Sequence, residues 1–135
     1  MTDDIKKKID VVFIAGGKFH DIDFARLEIL KLLAEDDRMK VRVFEDYSNL
    51  HAIEKADFLI TYTCDVRPTL EQQRVLKNYV SSGNRWLALH GTNSILQFMS
   101  DGKVDSPRIA PVMMETLGSQ FIAHPPIEPY NVKVS

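Results

Sequence analysis

The sequence predicts a parallel, doubly wound α/β sheet. Short apolar runs of strand length alternate with longer segments of helical period along the whole chain. The first run, residues 10–15, is apolar without alternation, as in a strand covered on both faces. Each run leads into a polar loop and then into helix-start chemistry, so the units are β-α with right-handed crossovers.

Residues 10–15 are β-branched and aromatic and stop at Gly16-Gly17. Asp21 or Asp23 caps a helix running to about Glu35, with Phe24, Leu27, Leu30 and Leu33 or Ala34 on one face. Met39 to Phe44 alternates Val41 and Val43 with Lys40 and Arg42, the pattern of a more exposed strand near an edge. Ser48 to Ala56 reads as a short helix with Leu50 and Ile53 inward, and Asp57 to Tyr62 as the next buried strand. Thr69 is an N-cap with Gln72 at capping-box spacing, opening a helix traced by Leu70, Gln73, Leu76 or Lys77, and Val80, which Gly83 stops. Arg85 to Leu89 is a buried strand that ends at His90. Residues 100–111 read as an excursion loop, Val112 to Leu117 as a short helical turn, and Asn131 to Val134 as the start of another strand. A strand begun so close to the last residue suggests a domain, 1–135, cut from a longer one at its C-terminal end.

At 135 residues the chain has the size of one domain, and 44% apolar with 27% charged residues suits a globule with a real core. A net charge of −2 argues against nucleic acid or an anionic membrane as partner, and Lys6-Lys7-Lys8 reads as a solvated lead-in. With one cysteine, Cys64, no internal disulfide can form, which suits a reducing compartment. No stretch approaches the ~20 apolar residues of a membrane span, and no signal-peptide core is present. The expectation is a cytoplasmic protein; a homo-oligomer is compatible with the sequence, although no motif asks for one.

His90 is the most informative residue, a titratable side chain at the carboxyl end of a strand, where open α/β sheets place their ligands. The passage Leu89-His90-Gly91 has the shape of a nucleophile elbow with imidazole in place of Ser or Cys. His20, after Gly16-Gly17, and His124, before Pro125-Pro126, lie in loops expected at the same edge. Three imidazoles on one rim can bind a divalent metal such as zinc, shuttle protons or orient a sugar. Gly16 and Gly17 either permit a turn or let backbone approach a ligand; neither a Rossmann nor a Walker pattern surrounds them. Asp46 and Asp65 follow strands, and each reads as a loop cap or as a carboxylate for a sugar hydroxyl. Cys64 reads as a buried inert thiol, His51 as a surface residue and Trp86 as core.

Several of these features occur together elsewhere. Gly16-Gly17 followed by His20, Glu45-Asp46, the segment Leu70-Glu71-Gln72-Gln73 to Tyr79-Val80 and Gly83, the elbow Leu87-Ala88-Leu89-His90-Gly91, and Leu117-Gly118-Ser119-Gln120-Phe121-Ile122-Ala123-His124-Pro125 resemble the ThuA-like (trehalose-utilisation) family. The resemblance implies a flavodoxin-like sheet of the class I glutamine amidotransferase type and a link to trehalose or related sugars. It implies His20, His90 and His124 as cleft histidines, with Asp46 as companion. The amidotransferases hold cysteine at the elbow; this chain holds His90 there, so thiolate-driven glutamine hydrolysis is not expected. Family domains run longer than 135 residues, with further strands. The reading that follows is a hydrolase or isomerase on a sugar derivative; the alternative is a sugar-binding or regulatory module that kept the fold without its reaction.

Overall fold

The structure is a computed structural model describing residues 7–124, 126 and 128–134. Lys6, Pro125 and Ser135, each part of a segment considered above, lie outside the described residues. Four parallel strands form the main sheet: β1 (Ile9–Gly17), β2 (Met39–Phe44), β3 (Phe58–Cys64) and β4 (Arg85–Leu89), in the order β2-β1-β3-β4. That order is flavodoxin-like and doubly wound, with the direction of winding reversing between β1 and β3. Helix α1 (Ile22–Leu33) covers one face, over Val11, Phe13, Ala15 and Ile60. Helices α2 (Leu50–Lys55), α3 (Leu70–Ser81) and α4 (Pro111–Leu117) cover the other, over Val12, Ile14 and Leu59, with Ile53, Leu76 and Met113 filling the layer between. Two covered faces are why the β1 sequence is apolar without alternation.

The caps show why the helices start where they do. The Asp21 carboxylate accepts from Phe24 N–H at 2.9 Å, so Asp21, not Asp23, opens α1; Asp23 pairs with Arg26 instead. Asn49 caps α2, and Thr69 with Gln72 forms both bonds of a capping box on α3. Ala110 offers α4 no side-chain cap, and the buried amide of Gln73 on α3 replaces it, its oxygen accepting from the N–H groups of Val112 and Met113.

Four expectations are corrected. The inward stripe of α1 is Ile22, Ala25, Ile29, Leu30 and Leu33, so Leu30 and Leu33 face the core as expected, while Phe24 and Leu27 are exposed. Both stripes have helical period, so periodicity alone does not choose between them. β4 is an edge strand, with Leu87 45% exposed, rather than a buried one. Part of the excursion after β4 is a hairpin, β5 (Gln97–Phe98) paired antiparallel with β6 (Val104–Asp105). Residues 131–134 form no strand and are exposed; among the described residues they pair with no strand, and the open side of β4 is left as a free edge. No helix among the described residues is long and apolar enough to cross a membrane.

Candidate functional site

The carboxyl ends of β1, β3 and β4 carry the site. Non-glycine residues with left-handed backbone occur just past each of them: Phe19 (φ 68°), Asp65 (φ 57°) and His90 (φ 47°). Such conformations cost about 1–2 kcal/mol each, and strain of this kind gathers at functional edges.

His90 opens a single 3₁₀ turn, His90–Asn93, directly after β4. Its Nε2 lies 3.4 Å from Nδ1 of His20, the rings meeting edge to face with centroids 4.3 Å apart. The Tyr62 ring at the end of β3 stacks on His90, 5.6 Å away and 15° from parallel. The elbow shape expected for Leu89-His90-Gly91 is therefore present, with the imidazole lifted to the surface and braced by two rings. Gly91 is required beneath it: a Cβ there would meet the Thr63 carbonyl oxygen at 2.8 Å. His20 is turned toward His90 by the bend that precedes α1. Partial burial and the neighbouring His90 both lower its pKa below the ordinary histidine value of 6.5.

A directed chain of hydroxyls fastens the turn to the sheet. Trp86 Nε1–H donates to Thr61 Oγ1 at 2.9 Å, Thr61 Oγ1 lies 3.0 Å from Thr92 Oγ1, and Thr92 O–H donates to the Leu89 carbonyl at 2.8 Å. Thr61 and Thr92 are buried. These residues were not singled out in the sequence; the signal was two threonines, Thr61 and Thr63, inside an otherwise apolar run. Thr92→Val keeps the shape and removes the middle hydroxyl. We expect it to lower stability by about 1–3 kcal/mol in urea unfolding, with Thr92→Ser close to wild type.

Asp65 is the buried charge of the edge, its side chain 4% exposed. It holds Lys18 at 3.0 Å and Arg67 at 3.3 Å, and accepts from Leu96 N–H at 3.1 Å. Burial pushes this carboxyl up, but the Leu96 N–H, Lys18 and Arg67 outweigh it and leave the pKa below its usual range. Cys64 is buried, and burial first, then the Asp65 charge, raises its thiol pKa, which keeps it protonated at neutral pH.

The remaining residues divide. Gly16 and Gly17 approach backbone of this chain: an added Cβ would lie 2.0 Å from the Glu45 oxygen or 1.8 Å from the Cys64 oxygen. Asp46 accepts from Ser48 N–H at 2.8 Å, closing a local turn after β2, and those Ser48 hydrogen bonds lower its pKa. The segment bearing His124 is tied to the elbow turn, since Phe121 N–H donates to the Asn93 carbonyl and Asn93 Nδ2 to Ser119 Oγ. The exposed His124 imidazole itself lies against the Phe121 ring, centroids 6.1 Å apart. The expected zinc-type set of His20, His90 and His124 is not formed: among the described residues no three His, Cys, Asp or Glu side chains are grouped to hold a metal ion. Two imidazoles alone fall short of the three protein ligands of a catalytic zinc site, so the residues present do not fit that metal.

A hollow of about 520 Å³ lies at the opposite, amino end of the sheet, lined by Lys7, Lys8, Asp57 and Arg85 among others. It contains no histidine, and its Asp57 carboxylate is occupied by the Asp10 N–H at 2.9 Å. The paired imidazoles are at the carboxyl edge instead.

The fold and the edge together define a flavodoxin-like α/β protein with a paired-imidazole centre. No family model, curated protein or solved structure matches this chain.

Proposed function

We propose that the protein is a cytoplasmic ThuA-like domain of carbohydrate metabolism, acting on trehalose or a related sugar derivative as a hydrolase or isomerase. The observation that carries the catalytic part is the 3.4 Å contact between His90 Nε2 and His20 Nδ1 on the ligand edge of a doubly wound sheet. The sugar part rests on the likeness of the elbow and of the Leu117–Pro125 segment to the family.

Two imidazoles at that distance share one proton more readily than they hold two, because a second positive charge meets the first in partly desolvated surroundings. One ring is then a base while its neighbour donates, which is what moving a proton between sugar oxygens or carbons requires. His20, with its lowered pKa, is the base at neutral pH. Stacking on Tyr62 and the strained turn hold His90 in one orientation.

The test is incubation with a panel of disaccharides and their keto forms. Wild type is expected to turn over at least one, and His90→Gln to lose about 10²-fold or more of the rate without a change in melting temperature. The sign of the pH dependence follows from His20. The active base is neutral, so the rate rises with pH through a value below 6.5. A rate that falls over that range overturns the base role. The non-catalytic reading has its own support: among the described residues, the edge thiol Cys64 is protonated and the Asp65 carboxylate is held by two cations, so neither is available as a nucleophile. Thermal stabilisation by a sugar without product selects that reading.

A further inference from the structure

The hollow at the amino end of the sheet is built from the first residues of all four strands. Ile9 of β1 pairs in register with Met39 of β2, and Phe58 of β3 with Arg85 of β4, and all four line it. Ile9, Met39 and Phe58 are half-buried and belong to the apolar layer on the α1 side of the sheet. They give the hollow an apolar wall. Its volume, about 520 Å³, falls in the range of small-molecule sites, roughly 300–1,000 Å³, which are mostly apolar with a few polar groups.

The charge around that wall is mainly positive. Lys7, Lys8 and Arg85 bring three exposed cations to one concavity, in a chain whose net charge is −2. Lys8 gives one N–H to the Asp37 carbonyl at 2.6 Å, which fixes the ammonium and leaves two N–H groups to spare. The side chains of Lys7 and Arg85 make no hydrogen bond or ion pair among the described residues. Asp57 is the carboxylate of the lining, and it does not neutralise them. It accepts from the Asp10 N–H at 2.9 Å, and no described cation is paired with it. The neighbouring Asp10 carboxylate faces Lys40 instead, at 3.8 Å. Like charges around a concavity with a low-dielectric wall focus the field there and concentrate counter-ions.

We propose that this hollow is a second binding site, for an organic anion. A carboxylate or phosphate is held among Lys7, Lys8 and Arg85, and the apolar body that carries it lies against Ile9, Met39 and Phe58. The site stands apart from the function proposed above, because its lining shares no residue with the imidazole edge. Strand β4 runs between the two, from Arg85 in the hollow to Leu89 just before His90.

Four probes are titrated into the full chain, with backbone amide and His ring signals followed by NMR: benzoate, phenyl phosphate, inorganic phosphate and benzyl alcohol. The better of the two aromatic anions identifies the head group. It is expected to bind about tenfold tighter than inorganic phosphate or benzyl alcohol, each of which lacks one half of the recognition. Saturable shifts are expected at Ile9, Met39, Phe58 and Arg85, with His20 and His90 unmoved. Affinity is expected to fall as salt rises from about 0.01 M to about 0.15 M. Lys7→Gln and Arg85→Gln, both at exposed positions, are each expected to weaken binding about three- to fivefold at unchanged melting temperature. Lys55→Gln, exposed on α2 and outside the lining, is expected to change nothing. Four probes of equal affinity, or none that saturates, overturn the site. So do shifts confined to the imidazoles, or a Lys55→Gln loss as large as those of the two lining variants.

Discussion

Gly17→Ala is expected to cost about 3 kcal/mol or more of folding stability, as the sum of backbone strain and a clash that cannot relax. Gly17 has φ 108°, outside the region that L-residues reach even in left-handed turns. A Cβ there would lie 1.8 Å from the Cys64 carbonyl oxygen and 2.8 Å from its carbon. Those atoms belong to β3, which pairs with β1 in register at this point. The same carbonyl accepts from Lys18 N–H at 3.0 Å, so moving it aside breaks the last bond between the two strands. Gly83→Ala supplies the control. Gly83 has φ 90° with nothing within 4 Å of an added Cβ, so it carries the strain without the clash, about 1 kcal/mol. Urea unfolding of both variants measures the difference. A Gly17→Ala loss no greater than that of Gly83→Ala would mean the strand ends part easily. Because Lys18, Phe19 and His20 follow directly, a surviving Gly17→Ala protein is also expected to show a disturbed His20–His90 contact.

The sheet was legible in the sequence for a physical reason. Strands covered on both faces are written as unbroken apolar runs, and the helices between them announce themselves by caps such as Asp21 and Thr69-x-x-Gln72. What periodicity could not decide was which of two apolar stripes α1 would bury, since Phe24 and Leu27 match helical spacing as well as Ile22, Ala25 and Ile29 do. Nor could it place β4 at an edge, because strand order is a property of the assembled sheet. The elbow at His90 and the meeting with His20 followed from topology: both residues come after strands that the winding brings close. His124 did not follow, because it stands on no strand end, and the path of an irregular segment is set by contacts such as Phe121 to Asn93 that no local pattern records. Gly16 and Gly17 left a turn and a ligand-facing role both open because close backbone approach leaves the same mark whether the neighbour is a phosphate or another strand. The hydroxyl chain Trp86-Thr61-Thr92-Leu89 joins residues up to 31 positions apart, a separation at which sequence pattern carries no information about contact.

Asp65→Asn is expected to destabilise the protein by about 1.5–3 kcal/mol at neutral pH, the usual scale for losing hydrogen bonds to a charged group. The choice of asparagine isolates the charge: Asp65 has φ 57°, which asparagine tolerates, so the backbone is not asked to change. An amide oxygen still accepts from Leu96 N–H, while Lys18 and Arg67 lose a carboxylate that is 4% exposed. Those cations are themselves 66% and 47% exposed and can turn to water, which keeps the loss below that of a fully buried broken pair. The pH dependence has a definite sign. The folded-state pKa lies below the ordinary 3.8, so the ionised group stabilises the fold above that value and the contribution disappears as pH falls through the folded value. The gap between wild type and Asp65→Asn is therefore widest at neutral pH and narrows as pH falls below 3.8, as read by denaturant midpoints at neutral pH and through the acid range. A gap that stays constant with pH would place the effect in shape rather than charge. Loss of the carboxylate also loosens Arg67, whose guanidinium holds the Leu96 carbonyl at the root of the β5–β6 hairpin. The same variant is therefore expected to speed amide exchange through 97–105, while exchange in the middle of β1 stays at the wild-type rate.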